Sequence, residues 1–383
     1  MQIFFSIFFG VIFFLSLNGC SALNPFSKAK NPDLEPSTLR DFKSTVSFKI
    51  LWEQNIGKSK DYSFSPTIVN GNIFTANESG QISCINSKNG KVIWKIKESI
   101  NFTAGVASDG KIVIVAGEDG QIIGFDALNG KKVWKFLASS EVISSPAIGS
   151  GIVVFKSLDN RITALDAVTG LKLWVVQRPA SGLILRVRPQ LVINEDFIYV
   201  PSNSGRLLSL SLQNGFLNWE AIVSEPKGST DLERVVDISG TPVIYEDDLC
   251  VIAFQGKISC INLSSGQSKW SKDFSSVVGP DVDNFFVFAI DESDKFFAFL
   301  RDNGNILWNN SDFINRNLSS PLSFGRTVVV GDDLGYMHFL SREKGEVIGR
   351  INIGSGIVSK PLINDSNLII QTNDGKIMAI SVD

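Results

Sequence analysis

The chain contains a repeat of about 40 residues in which a glycine turn precedes a tryptophan by four positions. Six copies end in SCINSKNGKVIW, IGFDALNGKKVW, TALDAVTGLKLW, LSLSLQNGFLNW, SCINLSSGQSKW and FAFLRDNGNILW. A seventh, HFLSREKGEVIG, carries Gly349 in place of the tryptophan, and the eighth, MAISVD, stops at the C-terminus. Every tryptophan of the chain belongs to this repeat or to the N-terminal stretch FKILWEQNI: Trp52, Trp94, Trp134, Trp174, Trp219, Trp270 and Trp308.

A proline marks the start of most copies. It lies 28 residues before the tryptophan position, or 30 in one copy: Pro66, Pro146, Pro189, Pro242, Pro280 and Pro321. Proline is tolerated at the first residue of a strand, where no ladder donor is lost. Between proline and tryptophan each copy shows four short apolar runs separated by Gly and Asn/Asp turns, which is the pattern of four strands.

Copies of this size predict the blades of a β-propeller, with the tryptophan as a large apolar plate between neighbouring blades. The eighth copy lacks its outer strand, and the stretch that carries Trp52 is a strand without a blade. We therefore expect an all-β fold, an eight-bladed β-propeller of four-stranded antiparallel blades over residues 46–383, in which the N-terminal strand completes the last blade.

Composition excludes several classes of function. A net charge of -3 gives no basic footprint for nucleic acid. The chain has one histidine, His338, and no CxxC pair, so it lacks the usual residue patterns of zinc and redox sites. No metal site is therefore predicted, and His338 is interpreted as a strand residue.

Of the four cysteines, Cys84, Cys250 and Cys260 follow the N-terminal region. A two-residue hairpin turn at Gln255-Gly256 would point Cys250 and Cys260 to opposite faces, so three free, mostly buried thiols are expected.

The N-terminus is typical of a targeting segment. Residues 1–19 form an apolar stretch of signal-peptide length without a preceding Lys or Arg, and the sequence LNGC at its end resembles a bacterial lipobox. This resemblance implies lipidation of Cys20, and a plain transmembrane anchor is the alternative. Residues 20–45 are then a lipidated N-terminus and mobile polar tether. Ser21, in place of the aspartate that commonly retains such proteins at the inner membrane, favours the periplasmic face of the outer membrane.

The repeat A-x-D-x-x-x-G-x-x-x-W, seen intact from Ala164 to Trp174, resembles that of the quinoprotein alcohol dehydrogenases. Enzymes and non-enzymes share it, so it indicates the fold and not the chemistry. Those dehydrogenases are longer and carry two adjacent cysteines at the cofactor, whereas no two cysteines are adjacent here. We therefore expect a protein that is not an enzyme and has no cofactor. A degenerate quinoprotein or ligand-binding propeller remains the alternative.

The chain as a whole resembles the BamB lipoproteins of the outer-membrane β-barrel assembly machine. Two segments carry the resemblance in detail, namely the L-x-L-R motif at residues 183–186 and the segment from Gly228 to Ser239, where Ser239 replaces the family's second acid. The resemblance implies that these segments bind the POTRA domains of BamA, and unfolded outer-membrane protein precursors are a further candidate partner. The implied partner-binding residues are Leu183, Leu185, Arg186, Asp237 and Ser239.

The spacing of the repeats supports the same two segments. The implied binding residues lie three to six positions before Pro189 or Pro242, so they occupy equivalent positions in consecutive copies and should be neighbours on one face of the ring. The interval from the tryptophan to the repeat proline of the next copy is 10 to 15 residues elsewhere, where that proline is present, but 23 from Trp219 to Pro242, which indicates an enlarged loop. SGLILRVRPQ, residues 181–190, alternates like a strand, and the alternative is that its leucines pack inward. A periplasmic propeller that docks an unrelated envelope partner is a third possible function.

Overall fold

The computed structural model describes residues 35–59, 62, 64–179, 183, 185–357 and 359–383. Cys20 and the predicted signal segment 1–19 lie outside them. The described residues form 32 β-strands in eight four-stranded antiparallel sheets, with one short 3-10 turn at Glu118–Gly120. Strand β1, Phe48–Asn55, comes first in the chain. No helix in the described part of the chain is long and apolar enough to cross a membrane.

The first four blades follow β1 in chain order. Blade 1 contains β2 (Thr67–Val69), β3 (Asn72–Ala76), β4 (Gln81–Asn86) and β5 (Val92–Lys97). Blade 2 contains β6 (Phe102–Ser108), β7 (Ile112–Gly117), β8 (Gln121–Asp126) and β9 (Lys132–Leu137). Blade 3 contains β10 (Ala147–Gly149), β11 (Ile152–Lys156), β12 (Arg161–Asp166) and β13 (Lys172–Gln177). Blade 4 contains β14 (Val192–Asn194), β15 (Phe197–Pro201), β16 (Arg206–Ser211) and β17 (Leu217–Ile222).

The second half repeats the arrangement. Blade 5 contains β18 (Val243–Tyr245), β19 (Asp248–Ile252), β20 (Gly256–Asn262) and β21 (Ser268–Phe274). Blade 6 contains β22 (Asp281–Val282), β23 (Phe286–Ile290), β24 (Phe296–Leu300) and β25 (Ile306–Asn310). Blade 7 contains β26 (Leu322–Phe324), β27 (Thr327–Gly331), β28 (Tyr336–Ser341) and β29 (Val347–Asn352). Blade 8 contains β30 (Leu362–Asn364), β31 (Asn367–Gln371) and β32 (Lys376–Val382), and β1 completes it.

Each blade runs outward from the ring axis. The short first strands contact their counterparts in neighbouring blades, so they line the axis. The second and third strands are covered on both faces by adjacent blades and are almost wholly buried, as in β7, which explains their continuous apolar sequences. The outermost strands alternate between exposed and buried residues, as in β13. The core is therefore a ring of apolar layers between blades, such as the layer that joins Phe74 of blade 1 to Val113 of blade 2.

The tryptophans lie in the seams between blades, as predicted. Each indole packs on the turn glycine of the next blade, as Trp134 packs on Gly170. Each indole Nε1–H also donates a hydrogen bond to a carbonyl of that blade, 2.6–3.1 Å away: Trp52 to Ser87, Trp94 to Ala127, Trp134 to Ala167, Trp174 to Leu212, Trp219 to Leu263, Trp270 to Arg301 and Trp308 to Arg342. Glycine is required in these turns because its φ is positive and a Cβ would overlap the indole.

Strand β1 closes the ring as the sequence predicted. It pairs with β32 in antiparallel register, with Trp52 opposite Ala379. The Trp52 indole then lies on Gly90 of blade 1, so the N-terminal strand joins the last blade to the first. The missing tryptophan of the seventh copy has a steric reason, since a Cβ on Gly349 would lie 2.1 Å from Val46 and 2.8 Å from Phe48. The incoming N-terminal segment occupies the space that the tryptophan fills in other blades.

Residues 35–47 lie against blades 6 and 7 without regular secondary structure. The Ser37 N–H donates to the Ile314 carbonyl (2.9 Å), and the Thr45 N–H donates to the Ile348 carbonyl (2.9 Å). Leu39 packs into the apolar layer between the two blades. Of the tether predicted over residues 20–45, only 35–45 is described, and these residues form one compact unit with the ring.

The cysteine prediction was wrong for one pair. Cys250 and Cys260 are bonded to each other, with Cα atoms 4.1 Å apart, whereas Cys84 is a free, buried thiol as expected. The error lies in the turn. Ala253 pairs with Lys257 rather than Phe254 with Lys257, so three residues form the turn and the register shifts by one. Cys250 and Cys260 are then directly opposite, with side chains on the same face.

Candidate protein-docking site

Of the stretch SGLILRVRPQ the structure describes residues 183 and 185–190, and none of these belongs to a strand. The connection from β13 to β14, residues 178–191, is called the leucine–arginine loop here. Among its described residues, Leu183 is 42% exposed and Arg186 is also exposed, while Leu185 is 6% exposed and packs inward. Residues 185–190 do not form the strand predicted from the alternation, because the Leu185 N–H donates to a side chain rather than to a neighbouring strand. The two leucines therefore differ in environment.

The guanidinium of Arg186 lies in a polar surface layer that joins three blade connections. Its Nη2 donates to Glu141 Oε2 at 3.0 Å, and the Tyr62 hydroxyl donates to the other oxygen of Glu141 at 3.1 Å. The Arg188 guanidinium stacks over the Tyr62 ring at 4.8 Å. An exposed ion pair of this kind contributes about 0–1 kcal/mol, so a partner carboxylate can compete for Arg186.

The enlarged loop of residues 223–242, called the acidic loop here, has an exposed first part and a buried second part. In the first part the Glu233 carboxylate accepts from the N–H groups of Ser229 and Thr230, which forms a compact turn. In the second part Asp237 and Ser239 are each 4% exposed. The Ser239 hydroxyl donates to the Ser276 carbonyl at 2.5 Å, so an aspartate in its place would face that carbonyl.

Asp237 supports the leucine–arginine loop from inside the ring. Its Oδ2 accepts from the Leu185 N–H at 2.8 Å, and its Oδ1 accepts from the Ser204 N–H at 2.9 Å. One carboxylate thus joins the acidic loop, the leucine–arginine loop and the β15–β16 turn. Burial raises the pKa of Asp237, and the two backbone hydrogen bonds and the charge of Lys156 oppose that shift.

Lys156 is a part-buried cation of this site. Its Nζ donates to the Pro201 carbonyl at 3.1 Å and to Asn203 Oδ1 at 3.4 Å. Burial lowers the pKa of Lys156 to about 8, and the Asp237 charge offsets part of that effect. The ammonium and carboxylate line a small cavity of about 50 Å³ together with Leu185. The leucine–arginine loop therefore rests on a buried carboxylate and a part-buried ammonium, and not on an apolar layer alone.

Leu183 borders an open groove between the two loops. The groove has a volume of about 420 Å³ and includes three arginines: Arg178, Arg206 and Arg234. Arg178 and Arg206 both donate to the carboxylate of Glu220, at 2.7 Å each. An exposed leucine beside arginines is suited to a partner that offers an apolar side chain next to carboxylates or backbone carbonyls.

The structure thus separates the five predicted residues into two groups. Leu183 and Arg186 reach the surface, whereas Leu185, Asp237 and Ser239 lie beneath it. Sequence reasoning missed Glu141, Tyr62 and Lys156. A signal existed for the first two, because Glu141 lies five residues before Pro146, as Asp237 does before Pro242, and Tyr62 lies four before Pro66, as Leu185 does before Pro189. Lys156 had no comparable signal within an otherwise apolar strand.

Comparison with known proteins identifies the family of this chain. The family model described as outer membrane protein assembly factor BamB matches residues 78–310. The chain belongs to the BamB family. The outer membrane protein assembly factor BamB of Bordetella pertussis is 35% identical over 96% of this chain and 94% of its own length. That of Escherichia coli is 29% identical over 97% of each chain.

Solved structures support the fold. The crystal structure of BamB from Moraxella catarrhalis matches 88% of this chain and all of its own, with a TM-score of 0.80 and 21% identity. The quinohemoprotein alcohol dehydrogenase of Comamonas testosteroni matches 87% of this chain and 76% of its own, with a TM-score of 0.70 and 13% identity. At these identities the likeness extends to the propeller and not to any activity. Within the described residues no three His, Cys, Asp or Glu side chains form a group that could hold a metal ion.

Proposed function

We propose that this chain is a non-enzymatic scaffold lipoprotein of the outer-membrane β-barrel assembly complex, which docks on the POTRA domains of BamA and assists the folding and insertion of outer-membrane proteins. Membership of the BamB family supports the assembly role. The observation that carries the docking surface is the exposure of Leu183 and Arg186 on a loop that a buried carboxylate holds in place. Rigid presentation lowers the entropy cost of binding.

The two surface residues act as contacts, and the buried residues act by positioning them. Leu183 offers an apolar side chain at the edge of the arginine groove, and Arg186 offers a forked donor that can exchange Glu141 for a partner carboxylate. Leu185, Asp237 and Ser239 do not contact the partner in this proposal. They fix the backbone from which Leu183 and Arg186 project.

Alanine substitution tests the docking surface. Leu183→Ala and Arg186→Ala should each weaken binding to a purified BamA POTRA fragment by about 2 kcal/mol, or roughly 30-fold, if they are hot-spot residues. Isothermal titration calorimetry measures the affinity, and co-purification of BamA from detergent extracts checks the complex. Leu128→Ala is the matched control. Leu128 is 83% exposed and lies in the β8–β9 turn, at the end of the strands opposite to the connections between blades. Unchanged affinity of both variants would show that docking occurs elsewhere.

Membrane attachment belongs to the same proposal. We place the chain at the periplasmic face of the outer membrane, held by lipid on Cys20. Cys20→Ser should release the protein into the soluble fraction or leave it uncleaved, because buried acyl chains contribute about 0.8 kcal/mol per CH₂ to membrane binding. Fractionation and mass spectrometry of the N-terminal peptide measure this. Ser21→Ala serves as the control, and mature Cys20→Ser protein that stays in the membrane fraction would contradict the assignment.

A further inference from the structure

The seams between blades are filled at a second position besides the tryptophan. The residue two positions after the tryptophan lies near the outer end of the seam. In blades 1 to 4 it is apolar, and it packs against the layer shared with the next blade: Ile96, Phe136, Val176 and Ala221. In blades 5, 6 and 8 it is polar, namely Lys272, Asn310 and Gln54. In the seam between blades 8 and 1 the buried side chain of Ile56 packs into the apolar layer. The seams that follow blades 5 and 6 lack an apolar side chain at this position of their own outer strand.

The seam between blades 6 and 7 receives this side chain from another part of the chain. Leu39 packs into the layer that contains Phe313 and Trp308. The backbone beside it is fixed, since Ser37 bonds to the Ile314 carbonyl at 2.9 Å through its N–H and to the Asp312 carbonyl at 2.7 Å through its hydroxyl. Leu39 thus shows how a segment without regular secondary structure adds one apolar side chain to such a seam.

The seam between blades 5 and 6 has no such insert among the described residues. It forms an open groove of about 710 Å³ lined by the aromatic rings of Phe274, Phe297 and Phe299, with Lys272 at its side. Phe274 meets the other two rings edge-on, with centroids 5.3 and 5.6 Å apart. Gly304, the turn glycine of blade 6, also lines the groove. Aromatic walls of this kind are suited to an aliphatic or aromatic side chain.

We propose that this aromatic groove binds an extended segment of an unfolded outer-membrane protein precursor, which inserts an apolar side chain as Leu39 does in the adjacent seam. The identity of the polypeptide rests on the proposed function, whereas the chemistry of the groove does not. Membrane β-strands alternate apolar and polar residues, so one side chain enters while its neighbours stay in water. The neighbouring polar side chains of the peptide can pair with charged residues of the groove. These are the carboxylates of Asp273 and Glu292 and the ammonium group of Lys272.

The outer edge of β21 adds a second means of attachment. It is the last strand of its sheet, and an extended segment beside it can use the unpaired backbone groups of that edge. The groove lies between blades 5 and 6, whereas the leucine–arginine loop lies between blades 3 and 4. A precursor and BamA can therefore bind at the same time on separate parts of the ring.

The proposal is tested with a substitution that places an apolar side chain of the protein itself in the groove. Lys272→Ile supplies the side chain that blade 1 has at this position, and Lys95→Ile on the exposed outer strand of blade 1 is the matched control. The probe is a fluorescein-labelled peptide of alternating threonine and phenylalanine with a lysine at each end. Fluorescence polarisation should show about tenfold weaker binding to Lys272→Ile, because the pocket for one apolar side chain is lost, and unchanged binding to Lys95→Ile.

Three results would overturn the proposal. One is equal affinity of the wild-type protein and Lys272→Ile, and another is no binding by the wild-type protein at millimolar peptide. The third is tighter binding once residues 20–34 are deleted, which would assign the groove to the chain's own upstream residues. BamA binding by Lys272→Ile should stay normal, so failure of this inference and failure of the docking proposal are measured separately.

Discussion

Trp52→Ala should lower the free energy of unfolding by about 3–5 kcal/mol, the usual cost of truncating a buried tryptophan. Trp52 is 8% exposed, packs on Gly90 and donates to the Ser87 carbonyl at 3.1 Å. These contacts join the N-terminal strand to blade 1, so the substitution weakens the seam at which the last blade meets the first. Urea unfolding followed by circular dichroism measures the change.

Leu51→Ala is the control for this experiment. Leu51 precedes Trp52 in β1 and is 42% exposed, so its truncation removes little buried surface and should change stability by less than about 0.5 kcal/mol. Trp94→Ala gives a second comparison at an equivalent seam within the chain. If Trp52→Ala unfolds at the same urea concentration as the wild-type protein, β1 does not stabilise the ring.

Asp237→Ala should cost about 3–5 kcal/mol of stability, although the residue belongs to a loop. The substitution removes the carboxylate that accepts from the N–H groups of Leu185 and Ser204 and that offsets the charge of the part-buried Lys156. Loss of the acceptor for the buried Leu185 N–H costs about 1–3 kcal/mol, and loss of the second hydrogen bond and of the opposite charge adds to that cost. Urea unfolding measures the loss in the free energy of unfolding. Hydrogen exchange of the Leu185 amide measures whether the leucine–arginine loop has become less ordered.

The same variant should weaken BamA binding without loss of a contact residue, because Leu183 and Arg186 would no longer be held in position. Asp196→Ala is the matched control, since Asp196 is an exposed acid in the β14–β15 turn, away from both loops. Asp237→Asn keeps an acceptor oxygen and should fall between the wild-type protein and Asp237→Ala. Wild-type stability together with normal exchange at Leu185 in Asp237→Ala would contradict the supporting role.

The propeller could be predicted because each blade repeats the same physical requirements. A tryptophan needs a glycine turn on the next blade to pack against, and inner strands covered on both faces must be apolar. These requirements recur with a period, so the number of blades and the closure by Trp52 followed from counting. Even the exception was informative, because Gly349 marks the point where Val46 and Phe48 enter.

The loops could not be predicted to the same extent, because they have no period. Alternation in SGLILRVRPQ suggested a strand, but Asp237 takes the Leu185 N–H that a strand would use. The burial of Asp237 depends on contacts from three separate segments. Similarly, a turn of two residues and one of three are both compatible with the sequence around Gln255, and only the second brings Cys250 opposite Cys260.

The pairing of β1 with β32 in blade 8 sets the order of events when the ring assembles. Phe48 pairs with Val382, so β1 has no strand to pair with until β32 is in place. Seven blades can form from local hairpins, whereas the last step brings together residues more than 300 positions apart, at an entropic cost on the order of 5 kcal/mol by the logarithmic scaling of loop closure. A circular permutant with its ends between two blades would form blade 8 from consecutive strands and move this slow, long-range step to another seam.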